Sequence, residues 1–127
     1  MPIHYEIDTQ RGLLRSAFPG TVPPKEVLAF YAELRKHPDF RADLDQIADF
    51  SGNTPSEWSP DEMRRVVRAE PFGPGARRAF VGPSDLVFGL SRMYSSLATS
   101  EGAGGTIAPF RTLAEAEAWL ERPKDGA

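Results

Sequence analysis

Ser59-Pro60-Asp61-Glu62 is the stretch whose residue types and spacing carry the sharpest chemistry in this chain. A serine at a helix start can accept the N–H of the residue three positions on. Glu62 can reach back to the Ser59 amide, and Pro60 suits the first helical position, where a missing N–H costs nothing. The same hydroxyl is a candidate phosphoacceptor. A phosphate there would meet free N–H groups and the positive end of the helix dipole, adding up to about two negative charges to a partner surface. The capping box by itself accounts for both residues and is the favoured reading. The second candidate is Asp49-Phe50-Ser51-Gly52. It falls at the carboxyl end of an expected strand, where open α/β sheets hold ligands, so Asp49 and Ser51 are candidate ligand contacts and Asp49 a candidate base. The favoured role of Asp49 is nevertheless to cap the adjoining loop, since aspartate readily accepts nearby backbone N–H groups.

Arg64, Arg65, Arg68, Arg77 and Arg78 cluster in sequence and suggest an anion or acidic-partner patch. Glu57, Asp61, Glu62 and Glu70 flank them, which favours a solvated face of mixed charge. Without interleaved aromatics or a reading-helix motif, no nucleic-acid partner is expected. Phe88, Gly89, Arg92 and Tyr94 share one expected helix. Its core stripe is expected to be Leu86, Leu90, Met93 and Leu97, which sets Phe88 and Arg92 off the core, in a pocket wall or a dimer face. Alternatively, Phe88 covers the sheet edge. Catalytic templates are missing. His4 and His37 lie on separate elements, no His pair has metal spacing, and no Gly-x-Ser-x-Gly elbow occurs. Gly102 to Thr106 lacks the lysine and helix of a phosphate-binding loop. No catalytic residue, metal or cofactor is therefore assigned, and the chain is read as not an enzyme.

The elements that must position these residues follow from periodicity. Ile3, Tyr5 and Ile7 alternate with polar residues, as in a strand with one wet face. A turn over Thr9 to Gly12 leads to a returning strand from Leu13 to Phe18. Pro24 opens a helix with Val27, Phe30, Tyr31 and Leu34 on one face, and Pro38 stops it. Leu44 to Ser51 reads as a strand and Asn53 to Trp58 as a polar loop. The helix capped by Ser59 turns Met63, Val66 and Val67 inward. Pro71 to Gly75 breaks the chain before a strand from Arg77 to Gly82, which leads to a helix from Leu86 to Leu97. A flexible loop from Ser100 to Gly105 precedes a strand from Ile107 to Arg111. Thr112 and Glu115 then cap a last short helix lined by Leu113, Ala116 and Leu120. Residues 1–122 read as one domain and 123–127 as a frayed tail. The order β-β-α-β-α-β-α-β-α predicts an α/β fold: a mixed five-stranded sheet with an antiparallel hairpin at one side and four helices, chiefly on one face.

Composition narrows the functional classes. Hydrophobic residues make up 40% and charged residues 26% of 127, enough for one soluble-type core. The net charge of -3 gives no overall drive toward nucleic acid or anionic membrane. With no cysteines, disulfides and thiolate chemistry are excluded, which fits a cytoplasmic location. No apolar run approaches the ~20 residues of a membrane span. No signal peptide is expected from Met1-Pro2-Ile3-His4-Tyr5-Glu6.

Three stretches carry a resemblance to a known family. They are Asp49-Phe50-Ser51; Arg78-Ala79-Phe80-Val81 followed by Ser84-Asp85-Leu86-Val87-Phe88-Gly89-Leu90-Ser91-Arg92-Met93-Tyr94; and Phe110-Arg111 leading to Ala116-Glu117-Ala118-Trp119-Leu120. Across nearly its whole length the chain resembles the SpoIIAA-like family of small bacterial proteins, whose STAS-like fold is related to lipid-binding CRAL-TRIO domains. The resemblance implies a single STAS-like domain acting as a non-catalytic module that regulates a partner protein. In partner-switching STAS proteins a serine at the start of the corresponding helix is phosphorylated, typically within Asp-Ser-Ser-Gly; this chain has Trp58-Ser59-Pro60-Asp61 instead. The CRAL-TRIO kinship implies the alternative, a carrier or sensor of a small apolar ligand. That alternative requires an apolar pocket of roughly 300 Å³ or more. Its expected walls are Phe30, Tyr31 and Leu34 on one helix and Phe88, Met93 and Tyr94 on another, with Arg92 the only evident headgroup anchor. A homodimer through the helix bearing Phe88 and Arg92 is the default oligomer.

Overall fold

In the computed structural model, which describes residues 3–102 and 105–124, the alternating N-terminal residues form β1 (His4–Asp8). Asp8 Oδ1 accepts the amides of Gln10 and Arg11 at 3.1 Å each. Gly12, at φ 64°, completes the turn in a conformation that favours glycine. β2 (Leu13–Ala17) therefore returns antiparallel to β1. From there, helices and strands alternate: α1 (Pro24–Lys36), β3 (Asp45–Asp49), α2 (Pro60–Arg68), β4 (Arg77–Val81), α3 (Asp85–Ser100), β5 (Thr106–Phe110) and α4 (Leu113–Leu120). β2, β3, β4 and β5 are parallel neighbours, so the sheet order is β1-β2-β3-β4-β5. The chain is thus α/β with a mixed five-stranded sheet and four helices, as its patterning predicts. Ala103, Gly104 and residues 125–127 of the expected loop and tail lie outside the described residues.

Crossovers of one hand between successive parallel strands bring α1, α2 and α3 to one face of the sheet. α4 packs across the other, against β3, β4 and β5. Period-two alternation splits the strands between two cores. Leu14, Ala48 and Phe80 join Phe30, Leu34, Val66, Val67 and Ala98 under the three helices. Leu13, Ile47, Ala79 and Val81 join Ala116 under α4, with Trp119 and Phe110 alongside.

α3 departs from its expected register. Leu86 and Met93, expected in its core stripe, are 61% and 59% exposed. The buried stripe is Val87, Ser91, Tyr94 and Ala98, one position further along the chain. The cause lies at the end of β4. Gly82 has no side chain, and a Cβ there would stand 2.5 Å from Val87 Cγ1. The first turn of α3 thereby sits directly on the strand end, capped by Ser84 Oγ, which accepts from the Val87 amide at 3.1 Å. This close approach turns the row of small and aromatic residues toward the sheet, and the bulkier aliphatic row is rotated off it.

Candidate functional site

The three helices do not close over the sheet. Between them lies a cavity of about 860 Å³, in the upper part of the ~300–1,000 Å³ range of small-molecule sites. Ala48 and Phe80 form its floor, and Val27, Val66 and Val87 bring one aliphatic wall residue from each of α1, α2 and α3. The small Ala48 side chain in mid-sheet leaves the space that a leucine or phenylalanine would take. The loop from Asn53 to Trp58 forms the rim. That loop is fastened to the end of β2. Gly20 N–H donates to Gly52 O at 2.8 Å and Thr54 N–H to Gly20 O at 2.9 Å. Asn53 Nδ2 donates to Phe18 O and Gly20 O at 2.9 and 3.1 Å. Leu86, Leu90 and Met93, displaced from the α3 core stripe, line the cavity as well.

One part of the lining is polar and built around Arg78, which is only 1% exposed. It stands beside Gln46 across β3 and β4. Its Nε donates to Gln46 Oε1 at 2.9 Å, its Nη1 to Glu70 Oε1 at 2.6 Å and its Nη2 to Tyr31 OH at 3.4 Å. Tyr31 and Tyr94 hydroxyls meet at 3.2 Å, and Tyr94 also donates to Glu70 Oε1. Gln46 Nε2 donates to Ser16 Oγ, which donates to Ile47 O, both at 3.0 Å. The guanidinium lies 4.1 Å from the Phe72 ring centroid and 5.4 Å from that of Phe80, so aromatic faces add cation–π contact. Arg78 and Glu70 are a desolvated ion pair, both side chains 1% exposed.

This setting decides protonation. Burial alone would pull the Arg78 guanidinium down. Negative charge on Tyr31, Glu70 and Tyr94 outweighs it as each ionises and holds the group above its ordinary value, Glu70 being the one charged at physiological pH. Burial pushes both tyrosines up. Tyr31 is pushed further by Glu70 and partly relieved by Arg78. Tyr94 is raised further by Tyr31 and Glu70, and stands well above the ordinary phenol value. Both hydroxyls are therefore neutral at physiological pH and able to donate. Such a wall orients a polar group by hydrogen bonds and offers no activated nucleophile. Among the described residues, no group of three or more His, Asp or Glu side chains is placed to hold a metal ion.

Of the expected site residues, Tyr94 lies in the cavity wall and Ser59 at its mouth. Ser59 closes the full capping box: Glu62 N–H donates to Ser59 Oγ at 3.1 Å, and Ser59 N–H to Glu62 Oε1 at 2.8 Å. Asp49 is turned to its own loop, where Oδ1 accepts from the Ser51 amide at 2.9 Å and from the Ser51 hydroxyl. The half-buried Phe88 lies against the Arg111 guanidinium, 4.3 Å from its ring centroid, at the end of the edge strand β5. Arg92 is exposed and does not line the cavity. Asp49, Ser51, Phe88 and Arg92 are thus not brought together with Tyr94.

The expected solvated face of arginines is corrected at both strand residues. Successive strand residues point to opposite faces. Arg78 therefore enters the three-helix side. Arg77 turns under α4, where its guanidinium bonds Asp45 Oδ2 at 2.8 Å and the carbonyls of Leu120 and Arg122 at 3.0 and 2.7 Å. Sequence reasoning missed Gln46 and Ser16, and expected Arg78 and Glu70 on a solvated face rather than in this wall. A signal existed for two of them: Arg78 keeps step with Phe80, and Gln46 with Ala48, on a period of two. Compared with known proteins, the chain matches no family model and no curated protein.

Proposed function

We propose that this chain is a non-catalytic, cytoplasmic binding module that takes a small apolar ligand into the cavity between the sheet and α1, α2 and α3. The supporting observation is the cavity of about 860 Å³, aliphatic and aromatic on most of its wall, in a chain of 127 residues. Protein interiors are otherwise close-packed, and an unfilled apolar space forfeits contacts. Kinship with SpoIIAA-like and CRAL-TRIO proteins, carried by residues 78–81 and 84–94, is part of the same proposal.

The test uses N-phenyl-1-naphthylamine, an uncharged probe that fluoresces in apolar surroundings. Binding is expected to saturate at about one probe per chain, as a single pocket requires. Ala48→Phe, which places a ring over the cavity floor, is expected to abolish it. Leu90→Trp fills the same space from α3 and guards against misfolding of the first variant. Wild type that fails to bind, or binding unchanged by both fillings, removes the proposal.

A second reading, regulation of a protein partner, draws on the exposure of two residues that also line the cavity. Leu86 and Met93 are seven residues apart on α3 and are the most exposed large apolar side chains of the described residues. A second copy of the chain is the default partner for such a face. Sedimentation at micromolar concentration is then expected to give about twice the 14.0 kDa chain mass; Leu86→Glu is expected to return it to the monomer. A wild-type monomer at every concentration removes this dimer.

A further inference from the structure

The geometry points to an uncharged ligand bearing a hydroxyl or similar hydrogen-bonding group, rather than a fatty-acid anion, as the occupant of the cavity; this rests on the apolar-ligand reading above. The charged residues of the lining are Arg78 and, at the rim, Glu57. An arginine in an apolar pocket invites the reading of a carboxylate anchor, because its planar fork matches a carboxylate bidentately. Here the fork is already engaged. Nε is held by Gln46 at 2.9 Å and Nη1 by Glu70 at 2.6 Å. The positive charge is also neutralised where it stands, since Glu70 is as buried as Arg78.

What remains for a ligand carries little net charge, because the Arg78 cation is paired with Glu70. Nη2 has only the 3.4 Å contact to Tyr31, and with the Tyr94 proton given to Glu70 and the Tyr31 proton to Tyr94, the two un-ionised hydroxyls keep acceptor capacity for a ligand O–H. Ser91, buried on α3, adds a further hydroxyl to the lining. Glu70 Oε2 is buried and, among the described residues, without a hydrogen-bond partner. It adds negative potential behind the tyrosines. An anionic headgroup brought to this wall would lose its water, find a cation already paired with Glu70, and face that carboxylate. A hydroxyl gives up far less on desolvation and is matched by the tyrosines and the serine.

The experiment displaces bound N-phenyl-1-naphthylamine from the wild-type protein at neutral pH with three molecules of equal chain length: dodecanol, dodecanoate and dodecylammonium. Dodecanol is expected to displace the probe at a concentration at least about tenfold below that of either ion, because an unpaired buried charge is costly. Dodecanoate or dodecylammonium acting as well as dodecanol overturns this inference and leaves the cavity reading standing. A probe that never binds, or that none of the three displaces, overturns both. Glu70→Gln provides the internal control. It leaves the Arg78 charge unbalanced, so dodecanoate is expected to gain about tenfold on dodecanol. An unchanged ratio in a variant that still binds the probe contradicts the assigned role of Glu70. If the variant does not fold, the wild-type comparison decides alone.

Discussion

Arg78→Met tests the buried pair, because methionine keeps the apolar stem and removes the guanidinium. The substitution breaks the bonds to Gln46, Glu70 and Tyr31. It leaves the Glu70 carboxylate, 1% exposed, with Tyr94 as its remaining partner. Removing one member of a buried ion pair costs about 3–5 kcal/mol, since the other charge stays desolvated and alone. A domain of this size is stable by about 5–15 kcal/mol, so the variant loses a large share of its margin. At about 4 °C per kcal/mol, the melting temperature drops by about 12–20 °C. Urea unfolding followed by tryptophan fluorescence, with calorimetry alongside, reads both quantities. The double variant Arg78→Met with Glu70→Met removes both charges and is expected to recover most of the loss, because a buried pair and a packed apolar pair are often of similar stability. A single variant that loses less than about 1 kcal/mol refutes the reasoning, since surface pairs behave that way. So does a double variant as unstable as the two singles added together.

Ser59→Ala is expected to lower stability by about 0.5–2 kcal/mol and Ser59→Asp to change it little, because aspartate caps as well as serine; urea midpoints check both, and an alanine variant of unchanged stability removes the capping role. Gly82→Ala drives a methyl to 2.5 Å from Val87 Cγ1, so α3 must lift and about 1–3 kcal/mol is lost; an unaffected melting temperature contradicts that close approach. The tyrosines set an alkaline limit. Their folded values lie above the ordinary 10.0, so the unfolded chain releases these protons first, and stability is intact below pH 10.0 and falls above it. Urea midpoints across the alkaline range are expected to fall less steeply in Tyr31→Phe and Tyr94→Phe than in wild type, and equal slopes refute the assignment.

Local chemistry was legible in the residues. Ser59 with Glu62 and Thr112 with Glu115 mark two helix starts, and both form complete capping boxes. Alternation in Ile3 to Ile7 and the Gly12 turn mark the hairpin. The pattern of strands and helices carries the sheet order, because short crossovers of one hand admit few alternatives. The rotation of α3 was not legible. Leu86, Leu90, Met93 and Leu97 form the stronger apolar stripe by residue type, and only the approach of α3 to Gly82 turns Val87, Ser91 and Tyr94 inward. The cavity was not legible either, since its lining joins residues of β3, β4, the three helices and the Asn53 to Trp58 loop. Its polar wall joins residues from five elements and the segment after α2, up to 78 positions apart between Ser16 and Tyr94. No local spacing reports such a set, although alternation alone separates Arg77 from Arg78.

The two faces of one sheet provide the most direct test that a ligand occupies the cavity. Methyl groups of Ala48, Val27, Val66 and Val87 line it, whereas those of Ile47, Ala79, Val81 and Ala116 pack beneath α4. The proton–carbon methyl spectrum of the protein is recorded during titration with dodecanol. Saturable shifts of the first set, with the second unmoved, are the predicted result. A spectrum in which neither set moves, or in which both move alike, contradicts binding in the cavity.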